Sequence, residues 1–294
     1  MNGRERLAAT LNHQQPDRVC VDFGSTPVTG IHVSAVDRLR KRLLGDTQWR
    51  VKVIEPYQFL GEIDEQLREA MGVDVIGALA RRSKFASDGS AWKPFTMFDG
   101  TEVQIHANLV IREEEGTGDL LAYPQGDTSV PPSGRMPRGG LFFDAIIRQD
   151  PIDEDRLDPA DNCEEFTLLG EDDLEYYRGV KRRFDEQSQY GAMLVIPGAA
   201  FGDIALVPAG WLKHPKGIRD IQEWYISTVT RKPYIRAVFE RQCEIALQNI
   251  NTLIDLFGDT VQAAFISGTD FGTQRGLFCS VATYRELYKP FHIA

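Results

Sequence analysis

The sequence predicts an α/β fold in which parallel strands alternate with helices. Four short apolar segments each end at a glycine or a polar loop, and apolar residues at helical spacing follow them. They lie at residues 18–23, 73–76, 192–196 and 261–266. The connections between them are long enough for parallel crossovers, so the pattern is typical of either a doubly wound sheet or a (β/α) barrel.

The composition is that of an ordinary globular protein. The chain has 294 residues, of which 42% are hydrophobic and 26% charged, enough for one large domain. The net charge of −10 and the lack of a long basic run argue against a nucleic-acid-binding surface. No apolar run approaches the length needed to cross a bilayer, and the charged N-terminal stretch does not resemble a signal peptide. We therefore expect a cytoplasmic protein with neither nucleic-acid nor membrane partners.

The spacing of cysteine and histidine does not predict a metal site. The four cysteines, at positions 20, 163, 243 and 279, match no CxxC or HxC pattern and no disulfide framework. His32 and His106 have no ligand-type residue at metal-binding spacing. We expect reduced thiols, packed or solvated histidines, and no metal or cofactor held by this chain.

The N-terminal quarter alternates helix and strand signals. Helices are predicted over residues 2–13, 31–44 and 61–71. The strand at 18–23 carries Asp22 to its end, and in a barrel this carboxylate would face the mouth formed by the strand ends, where it could bind substrate. A surface turn is the alternative for Asp22.

Residues 80–160 are predicted to be an insertion in this framework within a single domain, 1–294. A hairpin is predicted around the FDG turn at 98–100. Residues 125–140 are rich in proline and glycine and are predicted to form an irregular loop. The apolar content of the insertion is too small for a core of its own.

The α/β alternation returns after residue 160. Helices are predicted over residues 171–189, 218–229, 233–257 and 281–290. The strand at 192–196 ends at Pro197-Gly198, so Gly198 is predicted to border the same mouth and the substrate.

The strongest candidate site follows the last strand, in SGTDFGTQRG at 267–276. A strand that opens into a polar, glycine-rich loop before a helix is how α/β enzymes build active sites. Asp270 is therefore the predicted catalytic carboxylate, and a turn cap is its alternative role. Gln274 is predicted to hydrogen-bond a substrate or to hold the loop. Gly272 and Gly276 are predicted to need positive φ or to allow a ligand close to the backbone.

Three segments of the chain resemble the uroporphyrinogen decarboxylase superfamily. They are SGTDFGTQRG, PKGIRDIQEWY at 215–225 and NGRERLAATLNHQQPDRVCVDFG at 2–24. The likeness covers both ends of the chain and weakens through 85–150. It is closest to the corrinoid (cobalamin)-dependent methyltransferase branch, and DFGTQRG is its most specific part.

The resemblance implies a (β/α)8 TIM barrel with its active site at the carboxyl ends of the strands. It implies a small-molecule substrate and a methyl group exchanged between a small carrier or thiol and a corrinoid protein. In such relatives an HxC pair and a distant cysteine hold a zinc ion that binds the acceptor thiol. The HxC pair would follow the last helix of this chain, which ends at Ala294. We therefore expect an incomplete, C-terminally truncated barrel of about four βα units, inactive without its zinc half.

Two alternatives remain open at this point. A uroporphyrinogen decarboxylase would carry an RQAGR motif where this chain has VDFGSTPVTG, and an aspartate near Gly77-Ala78. Its acidic tetrapyrrole substrate also needs several cations, and the nearest here are Arg81 and Arg82. A non-catalytic binding module of the same fold is the other alternative.

Overall fold

The computed structural model describes residues 1–200 and 202–294 and has a mixed α/β architecture. The helices are α1 (Gly3–Leu11), α2 (Val33–Leu44), α3 (Glu65–Met71), α4 (Glu171–Glu186), α5 (Ile221–Thr230), α6 (Lys232–Phe257), α7 (Val281–Thr283) and α8 (Lys289–Ile293), with a π-helical turn (Tyr284–Tyr288) between the last two. The strands are β1 (Val53–Glu55), β2 (Leu60–Gly61), β3 (Val75–Ala78), β4 (Trp92–Thr96), β5 (Glu102–His106), β6 (Ile111–Glu113), β7 (Leu120–Ala122), β8 (Gly134–Met136), β9 (Asp144–Ala145), β10 (Gly191–Val195), β11 (Ala263–Phe265), β12 (Gly272–Thr273) and β13 (Gly276–Leu277). Across both described ranges, no helix is long and apolar enough to pass through a membrane.

The centre of the fold is a parallel three-stranded sheet in the order β3-β10-β11. Met193 of β10 lies opposite Gly77 of β3 on one side and Ala263 of β11 on the other. Helix α4 precedes β10, and helices α5 and α6 precede β11, as parallel crossovers require. The parallel α/β arrangement predicted from the sequence is confirmed.

The helices α4 and α6 cover one face of this sheet. The strand residues on that face and the helix residues against them form one buried cluster, which includes Ile76, Ala78, Ala192, Leu194, Ile196, Tyr177, Phe184, Leu253 and Phe257. Because side chains alternate along a strand, Gly77 and Met193 point to the opposite face. Ser25 packs on that face against both residues. Its Oγ lies 3.6 Å from Met193 Sδ, and its backbone carbonyl is so close to Gly77 that no Cβ would fit there.

The prediction of a strand at 18–23 is wrong, because this segment is irregular in the structure. It does run beside β3, where Asp74 N donates to Val21 O over 2.8 Å. Val21 N, however, donates to the Asp74 carboxylate (2.9 Å), which also accepts from Arg6 (2.6 Å) and Arg18 (2.7 Å). A buried side-chain network therefore replaces the backbone ladder that a strand would need.

Helix α1 covers the amino-terminal ends of the parallel strands. Asn2 caps it, and Arg4 N donates to Gln189 O just before β10. Leu7 lies so close to Gly191 that a Cβ there would come within 2.5 Å of Leu7 Cδ2. Since α1 occupies this end of the sheet, the carboxyl ends of the strands are the open ones.

The insertion contains more regular structure than predicted. The β4–β5 hairpin is confirmed, with Met97 N donating to Thr101 O across its turn. Residues 125–140 were expected to be irregular, but Gly134–Met136 is an internal strand of the antiparallel sheet β6-β7-β8-β9. Met136 is fully buried, and Gly134 packs against the ring of Phe85. The buried residues of this region share one core with α2 and β1.

The last helix also differs from its predicted bounds, because it does not stop at Pro290. Lys289 N donates to Tyr284 O in the π-helical turn, and the chain continues as helix to Ile293. Pro290 thus lies inside a continuous helical stretch, where the π-helical turn changes to α8.

Candidate functional site

The carboxyl ends of the three parallel strands open into loops that bring charged side chains together. Lys84 follows β3, Asp203 follows β10 and Asp270 follows β11. Asp203 interacts electrostatically with both Lys84 and Asp270. With three neighbours they form a group that we call the strand-end mouth: Glu55, Tyr57, Lys84, Asp203, Tyr225 and Asp270.

Lys84 is presented by a tight turn between Ser83 and Ser87. Ser83 N donates to Ser87 O (2.8 Å), and the two hydroxyls lie 2.8 Å apart. The next residue, Phe85, is buried in the core of the insertion and anchors the turn. The Lys84 ammonium lies 4.0 Å from the centroid of the Tyr57 ring. Burial lowers the pKa of Lys84, and the nearby Glu55 and Asp203 carboxylates oppose that change.

Glu55 ends strand β1 and turns its carboxylate back onto the chain. It accepts from Tyr57 N (3.0 Å) and Gln58 N (2.7 Å). Burial raises the pKa of the Glu55 carboxyl, while these two hydrogen bonds and Lys84 act in the opposite direction. Glu55 is therefore a carboxyl that takes up a proton more readily than an exposed glutamate does.

Asp203 is held by the compact turn that follows β10. Its carboxylate accepts from Ala205 N (2.9 Å). Gly202, with φ of +72°, lies against the rings of Phe239 and Tyr288, where an added Cβ would come within 2.9 Å of Tyr288. Burial raises the pKa of Asp203, and the charge of Asp270 adds to the effect.

Asp270 is exposed on the loop after β11, the position predicted for it. Its backbone carbonyl accepts from the Tyr225 hydroxyl over 3.3 Å. Tyr225 in turn stacks on Phe278, with ring centroids 4.7 Å apart. Burial raises the pKa of Tyr225, and Cys279, Asp270 and Asp203 raise it further. The tyrosine is thus a neutral hydrogen-bond donor at the edge of the mouth.

An apolar groove adjoins the mouth at Tyr225. It has a volume of about 590 Å³, in the range of small-molecule sites. Its lining residues are Ile147, Asp220, Ile221, Gln222, Tyr225, Ile226 and Phe278. Tyr225 therefore belongs to both the charged mouth and the apolar surface beside it.

The remaining residues of the DFGTQRG segment form a hairpin. Gly272 pairs with Leu277 and Thr273 with Gly276, so that Gln274 lies in the two-residue connection with its side chain exposed. The positive φ given as one of two reasons for these glycines is absent. Neither Gly272 nor Gly276 has positive φ, and a Cβ would be in ordinary contact at Gly272 and in open space at Gly276.

Asp22 and Gly198 lie in loops outside the three parallel strands. Asp22 accepts from Ser25 N (3.2 Å) and Ser25 Oγ (2.5 Å), which is the turn geometry given above as its alternative. Gly198 has φ of +77° and follows β10. The Asn249 amide donates to the carbonyl of Pro197 (3.2 Å) and so fixes the backbone next to it.

The zinc ion implied by the resemblance has no fitting ligand set in the part of the chain that the structure describes. In residues 1–200 and 202–294 no three His, Cys, Asp or Glu side chains are grouped to hold a metal. His32 bonds to Ser34 N and Leu141 O, and His106 to the Ser87 hydroxyl. Burial raises the pKa of the Cys279 thiol, which disfavours the thiolate that zinc binds.

Five of the six members of the mouth were missed in the sequence, namely Glu55, Tyr57, Lys84, Asp203 and Tyr225. No sequence motif surrounds the first four of them. The one signal in the sequence is that two of them, Lys84 and Asp203, follow a predicted strand within about eight residues. No protein-family model, curated protein or solved structure matches this chain. The assignment of function therefore rests on the mouth and on the segments quoted above.

Proposed function

We propose that this protein is related to the corrinoid-dependent methyltransferases of the uroporphyrinogen decarboxylase superfamily, and that its strand-end mouth binds the molecules between which such enzymes pass a methyl group, a small carrier or thiol and a corrinoid protein. Since the described residues offer no zinc ligand set, we expect this chain to bind these molecules without transferring the methyl group. The four cysteines are free, which fits a cytoplasmic enzyme.

The observation that carries the proposal is the interaction between Asp203 and Asp270. They belong to loops after neighbouring parallel strands, and Lys84 joins them from the loop after the third. Ligand sites at the carboxyl ends of parallel strands are the rule in (β/α) barrels and doubly wound sheets alike.

The position of the helices favours the barrel-type arrangement. Helices α4 and α6 pack on the same face of the sheet, whereas a doubly wound sheet has helices on both faces. The opposite face carries Gly77, which has no side chain, and the unbranched side chain of Met193. We therefore assign the three strands to an arc of a (β/α) barrel whose interior lies on that face.

The residues of the mouth provide binding and proton handling. Asp270 is exposed and its carboxylate can accept a hydrogen bond from the substrate, while the Tyr225 hydroxyl, which donates to the Asp270 carbonyl, has an oxygen that can accept one. Asp203 and Glu55 hold protons more readily than exposed carboxyls, so they can act as general acids. The apolar groove beside Tyr225 offers a surface for the flat macrocycle of a corrinoid.

The charge balance disfavours the decarboxylase alternative. The mouth holds three carboxylates and one ammonium, that of Lys84. Of the two arginines nearest to the strand ends, Arg81 is paired with Asp173 at 2.8 Å, and Arg82 is exposed. A polycarboxylate substrate would therefore be repelled more than it is attracted.

The test is the binding of methylcobalamin, followed by the absorbance of the corrinoid. The Asp270→Asn variant is expected to weaken binding about tenfold, the equivalent of one lost charge-assisted hydrogen bond of about 1.4 kcal/mol. Asp259→Asn is the matched control, because this exposed aspartate precedes β11 and lies at the other end of the strand. Equal binding by both variants would contradict the proposal, as would no binding by the unaltered protein.

A further inference from the structure

We propose that Lys84 is a nucleophilic amine that forms an imine with the carbonyl carbon of a small aldehyde or ketone bound in the strand-end mouth. This activity depends on the mouth but not on methyl transfer, and the two can be tested separately.

The first support is the surroundings of the amine. Seven of the nine lysines contact a carboxylate or backbone carbonyl, namely Lys41, Lys52, Lys93, Lys181, Lys213, Lys216 and Lys232. Lys84 makes no hydrogen bond or ion pair with any residue of the described ranges, although it lies in the mouth with two carboxylates nearby. Its ammonium lies over the face of the Tyr57 ring, 4.0 Å from the centroid. The amine is thus held in place with its donors and lone pair available to a ligand.

The second support is the rigidity of its attachment. The hydrogen bonds between Ser83 and Ser87 close the turn, and the buried Phe85 side chain fixes its orientation. A nucleophile on an anchored turn loses little conformational entropy when the electrophile binds. Burial also lowers the pKa of Lys84, which increases the fraction of free amine near neutral pH.

The third support is a pair of acids beside the amine. Asp203 and Glu55 interact electrostatically with Lys84 from two different segments of the chain, and burial raises the pKa of both carboxyls. Imine formation needs an acid that protonates the departing hydroxyl, and a buried carboxyl can supply that proton at a pH where the amine is free.

The reaction balances without an oxidant or reductant. The Lys84 nitrogen attacks the carbonyl carbon, the electrons of the C=O double bond move to oxygen, and proton transfer from nitrogen to that oxygen gives a carbinolamine. The Asp203 carboxyl then protonates the hydroxyl, which leaves as water while the nitrogen lone pair forms the C=N bond. The products are a protonated imine, a carboxylate and one water molecule.

Reductive trapping tests this inference. The protein is incubated with limiting benzaldehyde and sodium cyanoborohydride at pH 7, and the benzylated lysines are located and timed by peptide mass spectrometry. Lys289 is the internal control, because it is exposed and also lacks a partner within the described residues. We expect Lys84 to react several-fold faster than Lys289, because burial lowers the pKa of Lys84 and so increases its free-amine fraction.

A conservative variant gives the second arm of the experiment. Lys213, which contacts a carboxylate, serves as a second control. In Lys84→Arg the guanidinium stays protonated, so labelling at position 84 is lost, while Lys289 and Lys213 react as before. Faster labelling of Lys84 than of both controls would support the inference. Labelling of Lys84 no faster than that of Lys289 would overturn it, whether or not the protein transfers methyl groups.

Discussion

The negative charge of Asp270 acts on Asp203, although the two residues belong to loops that follow different strands. Burial is the larger cause of the raised pKa of Asp203, and Asp270 adds to it. Lys84 acts in the opposite direction from the loop after the third strand. The three loops therefore form one electrostatic unit, and several consequences can be measured.

The first prediction concerns stability and pH. Because the folded state raises the pKa of Asp203, folding takes up a proton between the unfolded value near 4 and the folded value. Stability is therefore lost as the pH rises through that window, and the loss persists above it. We expect Asp203→Asn to raise the melting temperature at pH 7, with a smaller gain near pH 4. A gain that does not depend on pH would contradict this explanation.

The second prediction concerns the buried ion pair between Arg219 and Glu165. Arg219 Nη1 donates to Glu165 Oε1 over 2.7 Å, and both side chains are at most 3% exposed. Glu165→Ala leaves a buried guanidinium without its counter-charge, so the free energy of unfolding should fall by about 3–5 kcal/mol. Glu171→Ala is the control, since it removes an exposed ion pair with Arg178 and should cost less than about 1 kcal/mol. Urea titration gives both values, and equal losses would contradict the prediction.

The third prediction concerns the close contact between β3 and the segment before α2. A Cβ at Gly77 would lie 1.7 Å from the carbonyl oxygen of Ser25, so the two backbones have to separate in Gly77→Ala. We expect a loss of about 1–3 kcal/mol in the free energy of unfolding. Gly276→Ala meets open space and should change stability by less than about 0.5 kcal/mol. If the denaturant curves of the two variants coincide, Gly77 does not lie against the Ser25 carbonyl as described.

The fourth prediction concerns Asn249 on α6. Its amide accepts from Leu169 N (3.0 Å) and donates to Thr167 O (3.0 Å) and Pro197 O (3.2 Å). Asn249→Ala removes the partner of three part-buried backbone groups, so the free energy of unfolding should fall by about 1–3 kcal/mol in total. The neighbouring Asn251 is exposed, and its alanine variant should be near neutral. Thermal melts that rank Asn251→Ala as the more damaging change would refute the assignment.

The sequence was sufficient for features that depend on local patterns. The strands at 191–195 and 263–265 both have the apolar runs typical of a parallel sheet, although only the first is largely buried, and Gly258 ends the long helix α6 as its position indicates. The loop after β11 was found in the same way, because a strand that ends in small polar residues has a recognisable composition.

The sequence was not sufficient where tertiary contacts decide the structure. Residues 18–23 have strand-like composition, yet the Asp74 carboxylate takes the hydrogen bond that a ladder would have used. Gly134–Met136 became a strand because its neighbours β7 and β9 supply partners on both sides. Glu55 and Lys84 were missed since they are distant in the chain and meet only after folding.

The most direct test of the central claim is the pKa of Asp203, measured by nuclear magnetic resonance on protein with ¹³C-labelled aspartate. If the loops after β10 and β11 share one mouth, the pKa of Asp203 is higher than that of an ordinary aspartate and falls in the Asp270→Asn variant. It stays unchanged in Asp259→Asn, because that residue lies at the opposite end of β11. An Asp203 pKa that does not respond to the loss of the Asp270 charge would contradict the shared site.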